Sequence, residues 1–129
     1  MTRTLDGSQR GSAVVEFVLV STIVVPLFLG VLQIGFYLYV RNTMVAAASD
    51  GARLAATVDR GPADGIARTE SMIGEAVSSR LVESVTAEPT EIDGQPAVAI
   101  VVDAHMPVLG VWGPAVDFTV RGHGIEEVP

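Results

Sequence analysis

The chain has 129 residues, so it holds one small domain and an anchor at most. It carries a net charge of −7 and 49% apolar residues but only 5% aromatics, and it has no cysteine. This excludes disulfides, thiolate nucleophiles and sulfur-based zinc sites, and the acidity argues against nucleic acid, whose phosphates require Lys and Arg.

The charge is unevenly placed. Residues 1–11 hold Arg3, Asp6 and Arg10. Residues 12–60 hold three acids and three arginines, and residues 61–129 hold eleven acids and three arginines. A basic tip, a neutral apolar stem and an acidic head suit three different environments.

The apolar run opens at Ala13 and is broken once, by Glu16. From Phe17 to Val40 come 24 uncharged residues. As a helix at ~1.5 Å per residue they cover roughly 36 Å, enough for a ~30 Å hydrocarbon core with some tilt. Tyr37 and Tyr39 stand at the far end, where interfacial aromatics belong, and Arg41 closes the run. We read residues 17–40 as a single membrane span. Pro26 lies inside it and is tolerated there. A short basic start before an apolar run favours an N-terminus in the cytoplasm and a head outside the cytoplasmic membrane.

The helix is predicted to continue past the membrane. Alanine dominates from Ala46 to Ala56, and no proline follows until Pro62. Ala47, Gly51 and Ala55 form one stripe of small residues at i, i+4 and i+8. The stripe serves either packing within the chain or packing between subunits. Gly61, Pro62 and Gly65 end a helix expected over 13–58.

The head, residues 61–129, reads as a helix and then strands. Apolar spacing of three to four over 66–85 predicts an amphipathic helix, with Asp64 as its N-cap. Asp93-Gly94 is a hairpin turn. Val98, Ile100, Val102, Ala104 and Met106 alternate with a second, more polar set, and Val116, Phe118 and Val120 do the same. A weaker strand is expected near 85–92. The predicted fold class is α+β: a long N-terminal transmembrane helix continuing into a small head of one helix packed on a two- or three-stranded antiparallel sheet, a pilin-like layout. So small a head needs the long helix to complete its core.

No catalytic constellation stands out, so no enzymatic activity and no cofactor are expected. His105, His123 and Asp103 match no metal-ligand spacing, and the two histidines belong to the polar strand faces. Trp112 reads as a core or loop anchor.

Glu16 remains. A charge at the centre of a membrane helix costs roughly 2.5–3.5 kcal/mol on insertion scales, and less at the edge. One reading is that Glu16 marks the interface. The other supposes a cut between Gly11 and Ser12, which makes Glu16 the fifth residue of the mature chain. The new ammonium and the carboxylate would then sit about 6 Å apart along one helix. The ammonium of one subunit could meet the carboxylate of an axially offset neighbour and so select a stagger.

The segment from Gly11 to Phe17 resembles a class III, prepilin-type signal: glycine, four small or apolar residues, glutamate, then an aromatic. The stretch from Arg10 to Ala56, with Pro26, Gly35, Arg41-Asn42 and the run from Asp50 to Ala56, resembles the TadE-like family of the tight-adherence (Tad/Flp, type IVb) pilus system. The resemblance implies a minor pilin or pseudopilin with a leader at 1–11, a transmembrane and extended helix over 12–60 and an extracytoplasmic head. Gly11 and Ser12 would flank the cleavage site. Glu16 and Phe17 would serve processing and assembly, and Ala47, Gly51 and Ala55 helix packing. The implied partners are a prepilin peptidase, the major Flp pilin, other minor pseudopilins, the inner-membrane assembly platform and membrane lipid. The alternatives are an uncleaved bitopic anchor presenting a small binding module, and a secreted protein cut after Ala46-Ala47-Ala48.

Overall fold

The computed structural model describes residues 6–108 and 114–128. The elements are helix α1 (Asp6–Ala55), helix α2 (Pro62–Ala76), a 3-10 turn at Ser79–Leu81, and strands β1 (Val82–Ile92), β2 (Gln95–Pro107) and β3 (Ala115–Ile125). The chain divides into two compact units, Met1–Gly35 and Phe36–Pro129, and α1 contributes to both.

The first unit is the N-terminal part of α1. Its apolar side chains lie bare, from Val14, Phe17 and Leu19 to Leu32 and Ile34. The hydroxyl of Thr22 donates to its own helix, to the carbonyl of Val18 at 2.7 Å. That bond satisfies a polar group within one helix, as an apolar solvent demands.

The second unit is α+β, with α2 and the end of α1 packed on a three-stranded antiparallel sheet ordered β1-β2-β3. The apolar periodicity of α1 explains its burial: Val40, Met44, Ala47, Ala48, Ala52 and Ala55 recur at three and four residues and are all buried. With Ile73 of α2 and Ile100, Val102, Ala104, Met106 and Val120 of the sheet, all of them but Ala55 make the main core, and Ala55 packs with Ala56 and Val98 in a smaller cluster. The long helix thus supplies about half of a core that the small head lacks.

Helix α1 follows strand β3. Tyr37 meets the ring of Phe118 edge-on at 5.3 Å between centroids. A β-carbon added to Gly122 would strike Ala48 and Ser49, and one on Gly124 would strike Ala52 and Arg53. Finally the Glu127 amide donates to the Ala56 carbonyl at 3.0 Å. The lengths agree: nineteen helical steps are about 28 Å, and nine strand steps about 30 Å. Gly122 and Gly124 let the helix backbone close onto the strand.

Three local expectations are corrected. The amphipathic helix stops at Ala76, not Val85. Val82 and Val85 lie on β1, where their spacing of three reflects a bulge at Glu83 between Val82 and Ser84 rather than helical turns. The N-cap is Gly61, while Asp64 sits three residues in and accepts the Gly61 amide at 2.9 Å. Helix α1 covers Asp6–Ala55 rather than 13–58: the polar turn before Gly11 is helical as well, and the helix ends three residues earlier.

The β1–β2 turn is a two-residue hairpin, with Asp93 at φ 50° and Gly94 at φ 79°, the paired left-handed conformation that Asp-Gly favours. Strand β2, in the middle, is buried on both faces, Ala97, Ala99 and Val101 included. In the register of the sheet Ala99 lies between Glu88 of β1 and His123 of β3, and Val101 between Thr86 and Arg121.

Candidate functional site

Gly11, Ser12, Glu16 and Phe17 all lie on α1 and all are exposed, Phe17 by 73%. A β-carbon on Gly11 would meet nothing within 4 Å. Glycine at this position is therefore not required by packing inside the chain. Glu16 is one turn from Ser12 and lies among bare apolar residues: Val14, Val15, Phe17 and Val18 are each more than half exposed. Leu5 and the residues before it lie outside the described residues. The helix over Gln9–Ala55 is long and apolar enough to cross a membrane, and none of its most apolar window is buried inside the protein. Bare apolar surface on that scale marks contact with lipid or with other helices.

The small stripe sits in the second unit. Ala47, Gly51 and Ala55 are buried, and they face α2. A β-carbon on Gly51 would strike the Thr69 hydroxyl and come to 2.5 Å from the Gly65 carbonyl oxygen. A β-carbon on Gly65 would come to 2.7 Å from the β-carbon of Ala55. Thr69, fully buried, donates within reach of two carbonyls, Gly65 at 2.8 Å and Ala47 at 3.3 Å. Asp50 and Arg68 close the same pair of helices on the surface, with Nε to Oδ2 at 2.9 Å. Of the two uses open to the stripe, the fold employs it for packing within the chain. Thr69 was not singled out from the sequence, and Gly65 was read only as a helix breaker, whereas it lies inside α2. Their signal is present, as small residues four apart in α2 facing small residues four apart in α1.

The outer face of the sheet carries the polar residues. The hydroxyls of Thr119 and Ser84 donate to the two oxygens of Asp103 at 2.6 and 3.0 Å, which ties all three strands together. The two hydroxyls, Thr119 first, hold the Asp103 carboxyl below its ordinary range, against a cost of desolvation and with help from the Arg121 charge. His105 pairs loosely with Glu83 at 3.6 Å, and His123 is exposed. Among the described residues, no group of three or more His, Cys, Asp or Glu could hold a metal ion. Trp112 lies outside the described residues.

Residues 11–53 match the model of a family described as TadE-like protein. The match opens on Gly11, takes in Glu16, Pro26 and the apolar run, and ends inside the small-residue stripe. No curated protein and no solved structure matches the chain.

Proposed function

We propose that this chain, TadE-like over residues 11–53, is a minor pilin or pseudopilin of a Tad/Flp-type pilus or a related secretion system. In this reading a prepilin peptidase cuts after Gly11, and the mature chain is assembled through its N-terminal helix. The observation that carries the reading is a prepilin-type motif, Gly11 to Phe17, placed at the start of a family match and of a bare apolar helix.

The chemistry follows from the helix. Before assembly its apolar surface is held in lipid, with the N-terminus in the cytoplasm and the second unit outside. In an assembly the same surface packs against the helices of the major pilin and of other minor pseudopilins. Glu16 is then surrounded by apolar side chains, where a lone carboxylate is costly. The ammonium freed at Ser12 of a neighbouring subunit offsets that cost when the two helices are staggered by about one turn. Cleavage creates the ammonium, so an unprocessed chain lacks the partner for its glutamate. No step calls for an enzymatic activity or a cofactor in this chain. The inner-membrane assembly platform is the machine that would extract and stack it.

The test is the N-terminus of the membrane-extracted protein, read by mass spectrometry from cells with and without the peptidase. A chain that starts at Ser12 only when the peptidase is present supports the reading. An intact N-terminus in both makes the protein an uncleaved bitopic anchor, and a start at Ser49 makes it a secreted protein.

A further inference from the structure

The last turn of the apolar run belongs to the second unit, which opens at Phe36. Its side chains divide between two environments. Val40 is fully buried in the core of that unit, and Tyr37, half-buried, meets Phe118 edge-on. Phe36, Leu38 and Tyr39 are each about half exposed. One turn of helix thus has a protein core on one side and bare apolar surface on the others.

The sheet completes this end of the unit. Val82, Ala104 and Phe118 form one row across the three strands, and Tyr37 packs on it. Strand β3 runs along α1 in the same direction, with Phe118 by Tyr37, Gly122 by Ala48 and Gly124 by Ala52. Val116 therefore lies past Tyr37, toward the start of the helix. It shares the face of Phe118 by strand alternation, and it pairs with the buried Met106, yet it is 42% exposed. The chain carries no charge between His105 and Asp117. Those two residues pair on the outer face of the sheet, away from Val116, with Glu83 at 3.6 Å from His105. The charged residues next to this end in the chain, Arg41, Arg80, Glu83 and Asp117, are all exposed and balance in sign. They suit a headgroup layer and bar any deeper entry.

We propose that this end of the second unit is a lipid-contacting surface, in which Phe36, Leu38, Tyr39 and Val116 form an apolar collar seated in the interfacial layer of the bilayer. As a helix at ~1.5 Å per residue, the chain from Phe17 to Gly35 covers roughly 28 Å, close to the ~30 Å of a hydrocarbon core. Phe36 to Tyr39 then fall at the interface, where tyrosine is favoured. The rings of Tyr37 and Phe118 are in contact, so the depth of one is the depth of the other, and Val116 goes with them. Lipid is the occupant because the collar is continuous with the apolar run of the span. The inference rests on the reading of that run as a membrane span, and not on cleavage or assembly.

The chain has no cysteine, so a nitroxide label can be placed at single engineered positions. Full-length Val116→Cys, Tyr39→Cys, Leu27→Cys and Val58→Cys chains are labelled, all at exposed side chains. Each is reconstituted at one chain per nanodisc, in phosphatidylcholine with phosphatidylglycerol. Collision of the label with oxygen, which concentrates in lipid, is compared with collision with a water-soluble nickel chelate. The label at Leu27 is expected in lipid and the label at Val58, beyond the other end of α1, in water. The labels at Val116 and Tyr39 are expected to meet the chelate at least fivefold less than the label at Val58, while still meeting oxygen. Tyr39 gives a second reading of the collar that does not depend on a substitution in the sheet. A Val116 label as open to the chelate as the one at Val58 overturns the collar, and a Leu27 label in lipid then leaves the span standing. A Val116 label shielded from both reagents is covered by protein and overturns the collar as well. A Leu27 label open to the chelate overturns the span and the collar together.

Discussion

Gly51 and Gly65 exclude each other's side chains. A β-carbon built on either residue comes to 2.5 Å from the carbonyl oxygen of the other. Both are buried, one on α1 and one on α2, so the two backbones touch directly at the crossing. Glycine lowers helix stability by about 1 kcal/mol relative to alanine, and the close approach compensates for that cost.

Gly51→Ala is therefore expected to destabilise the second unit by about 1–3 kcal/mol, the ordinary cost of overpacking. Gly74→Ala, in the same helix as Gly65 but with nothing within 4 Å of its added carbon, should instead stabilise by about 0.5–1 kcal/mol. Thermal melts of the full-length protein in detergent, followed by circular dichroism, separate the two. Equal effects of both substitutions would show that the α1–α2 contact is not close.

Thr69→Val keeps the shape at the crossing and removes the hydroxyl. The single hydroxyl proton, held mainly by the Gly65 carbonyl at 2.8 Å with the Ala47 carbonyl at 3.3 Å, is then lost. The Gly65 carbonyl belongs to its own helix, so the loss is partial, and about 1–2 kcal/mol is expected. Thr69→Ser, which keeps the donor, should cost less. The same melts check this, and a valine variant as stable as the parent would assign Thr69 to packing alone.

Asp103→Ala should cost stability in a pH-dependent way. The folded-state carboxyl titrates below its ordinary value of 3.8 because Thr119 and Ser84 donate to the ionised form. Its contribution is therefore present above about that value and is lost as pH falls through the lowered folded value. The gap in melting temperature between parent and variant should be widest near neutral pH and close in strong acid. A gap that holds constant down to pH 2 would mean the carboxylate is not what the hydroxyls stabilise.

Gly11 and Glu16 should separate by phenotype. Gly11→Trp is expected to abolish cleavage, since a peptidase needs an open backbone there and the bare surroundings of Gly11 leave folding unaffected. Glu16→Ala should be cleaved and yet assemble poorly. N-terminal mass and the fraction of protein sheared from cells into filaments read the two steps. Normal cleavage of the Gly11→Trp chain would overturn the reading of Gly11 as the last residue of a leader.

Much of this molecule was legible in the chain itself, for reasons that are local. The 24 uncharged residues from Phe17 to Val40 read as a span because lipid contact needs only length and composition. The hairpin at Asp93-Gly94 was visible because its backbone angles suit few other residues. The alternation in β2 and β3 showed because each strand has a core side and an outer side. Glu16 was conspicuous because nothing nearby neutralises it. Tertiary structure decided the rest. Val82 and Val85 fell to a strand because pairing with β2 outweighs a helical spacing that the bulge at Glu83 imitates. Gly122 and Gly124 look like weak points of a strand until α1 is laid along β3. The stripe of Ala47, Gly51 and Ala55 permits any close neighbour, and only the matching stripe of α2 makes that neighbour part of the same chain. Sequence patterns record which surface is apolar or small, whereas the choice of partner for that surface is a property of the whole fold.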